Sequence, residues 1–140
     1  MKKRPKITWL VPLSERVNKP KLRIVEDTTS GSYTVYLRLC GTDIGYVAVH
    51  KREVRCSSGN VVVHETHSSL ATEHHGKGLG VELYSKAIEY GRDKGYQVVS
   101  SRSPSAMARR CWRSKRLNAK HKIVKLVNRF WVVGEADKTV

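Results

Sequence analysis

Three glycines at every second position, Gly76, Gly78 and Gly80, stand in the run His75-Gly76-Lys77-Gly78-Leu79-Gly80, directly ahead of a stretch with helical spacing. Glycine lets backbone N–H groups approach a ligand closely, and a helix N-terminus adds the positive end of its dipole. The run is therefore chemistry for holding a phosphate. Two other phosphate loops do not fit it. A nucleotide-hydrolysing P-loop needs Ser or Thr after its lysine, but Lys77 is followed by Gly78. A dinucleotide fingerprint needs glycine at position 81 and an acidic residue about 20 residues on, where the chain has Val81 and then Ser100-Ser101-Arg102.

Other reactive side chains are weighed in the same way. His64-Glu65-Thr66-His67 is one residue short of a zinc-protease H-E-x-x-H, and on a strand His64 and His67 point to opposite faces, so no metal is expected. Cys40, Cys56 and Cys111 are odd in number and widely spaced, which predicts a reducing compartment and no disulfide framework or zinc knuckle. Twenty-seven Lys and Arg against 12 Asp and Glu give a net charge of +15, more than solubility requires. The excess is concentrated: Arg102, Arg109, Arg110, Arg113, Lys115, Arg116, Lys120, Lys122 and Lys125 occur without one intervening acid. Such a patch suits a nucleic-acid backbone or an acidic partner protein.

The elements that must position these residues read as one α/β domain of 140 residues. Residues 1–21 are basic and broken by Pro5, Pro12 and Pro20, an N-terminal arm with a possible short strand at 7–11. Its Lys2-Lys3-Arg4 start imitates a signal peptide, but the apolar stretch behind it is short and contains Pro12. No run is long enough to span a bilayer, and a soluble, cytoplasmic protein is expected. Alternation predicts strands at 22–26, 33–40 and 44–50, the last two as a hairpin, with a polar loop at 51–59 and a central strand at 60–71. Leu83, Tyr84, Ala87, Ile88 and Gly91 form one helical stripe behind the glycines, and a short strand at 97–101 follows, parallel to the central one. A second helix opens at Ser103-Pro104 and runs to about 116, and 123–133 reads as one closing strand before the tail at 135–140.

The glycine run resembles the pyrophosphate loop of the GNAT superfamily of acyl-CoA N-acyltransferases, with His75 where the family has Gln or Arg. The order hairpin, central strand, glycine loop, helix, short strand, helix, strand is similar to the family core over 33–133. Ser105, Ala108 and Trp112 stand where members commonly carry Asn, Ala and Tyr. The resemblance implies a mixed, mostly antiparallel sheet with a splayed parallel pair at its centre and two main helices. It further implies that Leu70, Ala71 and Thr72 face the pantetheine of acetyl-CoA, that His75, Gly76, Lys77, Gly78, Leu79, Gly80 and Val81 hold its pyrophosphate, and that Ser105 and Trp112 lie along the arm. By the same resemblance the base is a Glu on the central strand, Glu65, and His67, on the same face two residues on, is the second candidate.

Two departures shape the expected function. The segment 27–32 is too short for the helices that members carry between their first two strands, which leaves the acceptor side open to a bulky amine. Trp112 replaces a Tyr able to protonate the departing thiolate, and an indole N–H has no usable acidity. The expectation is an N-acetyltransferase passing acetyl directly from acetyl-CoA to an amine of a macromolecule, with nucleic acid contacted through Arg102, Arg109, Arg110, Arg113, Lys115 and Arg116. The alternative is a GNAT-like binding module that uses its basic face alone.

Overall fold

A computed structural model describes residues 20–126 and 128–135. The expected arm and tail lie outside the described residues, apart from Pro20, Lys21 and Glu135. Seven strands form one sheet in the order β1-β2-β3-β4-β5-β7-β6: β1 is Lys21–Asp27, β2 Ser32–Leu39, β3 Thr42–Cys56, β4 Gly59–Leu70, β5 Val98–Ser100, β6 His121–Leu126 and β7 Arg129–Glu135. Every neighbouring pair is antiparallel except β4 and β5. The crossover between those two is made by helix α1, Leu79–Asp93. Two short helices, α2 (Ala106–Trp112) and α3 (Lys115–Lys120), follow β5.

Alternation in β2 and β3 decides which face is buried. Tyr33, Val35 and Leu37, with Val47 and Val49, turn to the side on which the α1 stripe of Leu83, Tyr84, Ala87 and Ile88 packs, and all are at most 2% exposed. The opposite face carries Tyr46, Val25 and Val133, which are exposed. Residues 28–31 make only a turn, closed by the Gly31 N–H on the Asp27 carbonyl at 3.0 Å, so no helix stands between β1 and β2.

Three sequence expectations are corrected. Residues 51–56 belong to β3 and pair with 59–64 of β4, a polar hairpin arm that continues the ladder beyond the packed part of the sheet. The closing strand is a hairpin, β6 and β7, because Asn128 takes φ 65° and reverses the chain. The second helix is two helices: Ser105, not Ser103, caps α2 by accepting from the Ala108 N–H, and Ser114 caps α3 by accepting from Leu117.

Two buried histidines make stability pH-dependent. His64 stacks on Tyr96 at 3.7 Å, and burial followed by the Lys51 charge holds its pKa below the usual 6.5. His121, lowered by burial and then by Arg92, accepts a hydrogen bond at Nδ1 from Arg92, which requires that nitrogen to be unprotonated. Folded values below the unfolded one mean that this contribution is complete above about pH 6.5 and is lost as pH falls through the folded pKa values. The melting temperature is expected to fall on acidification below pH 6.5, and less steeply in His64→Phe. An equal slope in that variant would remove His64 from the account.

Candidate functional site

The site grows from one rule of strand geometry. The Ala71 N–H donates to the Ile44 carbonyl on the β3 side, whereas the His64 N–H donates to Gln97 on the β5 side, so even-numbered residues of β4 turn their backbone groups toward β5. The parallel ladder covers only His64, Glu65 and Thr66 against Val98, Val99 and Ser100. Beyond Thr66 the two strands part. Ser68 and the Leu70 N–H therefore face the gap without a strand partner among the described residues.

Into that gap opens a cleft of about 200 Å³ whose lining includes Thr66, His67, Ser68, Tyr84, Ser105 and Trp112. Past the end of β4 the chain makes a tight turn at Thr72–His74 and reaches the glycines. Gly76 and Gly78 both take φ 79°, a conformation costly to a side-chain-bearing residue, and Gly78 leads directly into α1. Among the described residues the N–H groups of 76–81 make no hydrogen bond, and the first one engaged is that of Glu82, on Gly78. Six amides at the positive end of a fifteen-residue helix are left for an anion.

His75 is placed differently from its neighbours. Its N–H bonds to Thr72 and its Nε2 to the Leu70 carbonyl at 2.8 Å, so it braces the turn from within. Leu70 buries its side chain in the core, and the Ala71 N–H is engaged on β3. Lys77 lines a neighbouring cleft of about 290 Å³ with Gly78, Leu79 and Arg116. Arg116, ion-paired to Glu82, thus joins the glycine turn, while Arg109 caps the Pro104 carbonyl and Arg113 lies over the Phe130 ring. The basic run is split among several surfaces rather than forming one stripe.

Trp112 is a packing residue of the cleft wall. It is 1% exposed, stacked on Phe130 at 5.7 Å and met edge-on by Tyr84 at 5.3 Å, and its indole Nε1 has no well-aligned hydrogen-bond partner among the described residues. Sequence reasoning placed Tyr84 only in the core stripe. In the fold its hydroxyl sits 2.7 Å from Ser68 Oγ inside the gap. Burial pushes its pKa up to about 12, against the opposing effect of the Ser68 hydrogen bond, so it stays protonated and can donate. No local signal separates such a residue from ordinary core.

Glu65 and His67 share the face opposite the helices. Glu65 Oε1 accepts from His67 Nε2 at 2.7 Å and pairs with Arg52 at 3.0 Å, while Oε2 pairs with Arg129 at 3.3 Å. The carboxylate is thereby held among three basic side chains, and the His67 ring is oriented with no hydrogen-bond partner at Nδ1 among the described residues. Arg129, buried beside Glu65, was not anticipated, because it lies 64 residues away in the chain and only the strand order brings it there. His64 points to the helix-covered face.

The sequence model described as "Acetyltransferase (GNAT) family" matches residues 5–116, beginning within the N-terminal arm and ending before the last hairpin. Among curated proteins none matches the chain. A solved structure described as the acetyltransferase of GNAT family from Streptococcus pneumoniae aligns with 74% of the chain at 16% identity and a TM-score of 0.47, and the alignment covers 65% of that protein's own chain.

Proposed function

The chain belongs to the acetyltransferase (GNAT) family, and from that premise we propose that it is an acetyl-CoA-dependent N-acetyltransferase acting in the cytoplasm on an amine of a macromolecule. One observation carries the reading: the parted end of β4 and β5 lies beside six unengaged amides at the start of α1. In this reading the amides of 76–81, with Lys77 and Arg116, hold the pyrophosphate and adjacent phosphate, and the Ser68 backbone and the Leu70 N–H pair with the pantetheine amides. The thioester, the chemistry that acetyl-CoA supplies, lies in the gap.

His67, oriented by Glu65, removes the proton of the incoming amine through Nδ1, directly or through water. Tyr84 donates a proton to the departing sulfur in place of the tyrosine that Trp112 replaces, with Ser68 as its hydrogen-bonded neighbour. The sheet face that no described helix covers, without a helix between β1 and β2, leaves room for a bulky acceptor.

Ligand binding to the folded state alone stabilises it by about 2.7 kcal/mol at a hundredfold excess over Kd. Acetyl-CoA at that excess is expected to raise the melting temperature by several degrees. No shift at saturating acetyl-CoA, with retention on heparin, would favour a binding module in which Trp112 has displaced the catalytic acid.

A further inference from the structure

A second cleft, of about 560 Å³, lies on the sheet face opposite the helices and shares no residue with the gap between β4 and β5. We propose that this cleft binds single-stranded nucleic acid, with phosphates at Arg55 and Arg102 and a base on the ring of Trp131. Within the transferase reading, on which only this step rests, nucleic acid then becomes the carrier of the acceptor amine.

Four observations support it. Arg55 and Arg102 line the cleft, are exposed, and make no hydrogen bond or ion pair among the described residues. Arg129 lines it too, 5% exposed, and its Nη1 pairs with Glu65 by charge alone, without a hydrogen bond. A buried donor left open in this way is costly, and an anionic or carbonyl oxygen in the cleft would complete it. Trp131 is pinned by its Nε1 donating to the Leu126 carbonyl, which leaves ring surface to line the cleft. Guanidinium forks match phosphate, and a fixed aromatic surface accepts any base, whereas an acidic peptide would use the arginines and have no need of the indole.

Placement adds to composition. Trp131 pairs with Val99, and Val99 with Glu65, so the cleft opens beside the Glu65–His67 pair from the side away from the glycine turn. An overall charge of +15 adds attraction without choosing this site.

The test is fluorescence anisotropy of labelled oligo(dT) and oligo(U) over a salt series. The double variant R55E/R102E is expected to bind at least about tenfold more weakly and to lose about 1.4 units of the log K against log salt slope. W131A is expected to weaken binding about tenfold, with W131F close to the parent. Unchanged affinity and slope in R55E/R102E would place any binding elsewhere on the basic surface and overturn the proposal. So would displacement of the oligonucleotide by acetyl-CoA, or tighter binding of polyglutamate that depends on the same arginines. The acetyl-CoA thermal shift, measured on the same variants, checks their folding. It also separates the two readings, since oligonucleotide binding without that shift removes acetyl transfer and leaves the cleft, and the reverse removes the cleft alone.

Discussion

Trp112→Ala is expected to cost about 3–5 kcal/mol and to lower the melting temperature by roughly 10–20 °C. Trp112 is 1% exposed and joins α2 to both α1 and β7, through Tyr84 and Phe130 respectively. Removing the indole opens a cavity where these three elements meet, and rigid strands on one side limit its collapse. The contrast with Trp112→Phe makes the test sharp. The Nε1 hydrogen is buried without a well-aligned partner among the described residues, so a phenyl ring keeps most of the packing and removes a poorly satisfied donor, and the expected cost is below about 1.5 kcal/mol. Thermal denaturation of both variants reads the difference. Equal losses would mean that the indole N–H, not the ring, is what the site needs, and that it has a partner in solution.

Removing the Glu65 charge should act on two properties at once. Glu65 and Arg129 have side chains only 10% and 6% exposed, so Glu65→Gln leaves a buried guanidinium without its counter-charge, at an expected cost of about 3–5 kcal/mol. The same change releases the His67 ring from its orienting partner. His67→Ala separates the effects, because its side chain is 43% exposed and carries little packing. It is expected to reduce kcat by about two to four orders of magnitude while leaving the melting temperature and the acetyl-CoA shift near the parent values. Thiol release from acetyl-CoA with an amine-bearing oligonucleotide as acceptor measures kcat. Parent-like turnover in His67→Ala would move the base elsewhere, with Glu65 remaining as a structural ion-pair centre.

Much of this site was legible because its signals are local. Alternation in 33–39, the paired glycines and the stripe from Leu83 to Gly91 each follow from the period of a strand or helix, and the structure contains each of them. The short link at 27–32 likewise announced the missing helices. The misread segments lacked such a period. Residues 51–56 are polar because that hairpin arm extends past the core, and Asn128 reverses the chain without the glycine that marks most tight turns. Ser103 and Ser105 both offer a capping hydroxyl, and only the packing of Ala108 and Trp112 against α1 selects the second.

By itself the sequence determined the kind of elements, their order, the glycine turn ahead of the helix and the excess positive charge, since each depends on neighbours a few residues apart. Tertiary structure alone decided that β4 and β5 part after Thr66, that the Tyr84 hydroxyl enters the gap beside Ser68, and that Arg129 meets Glu65. These outcomes depend on register and crossover between strands distant in the chain. A side chain's role then follows from which group the fold sets against it, which residue type and local spacing do not specify.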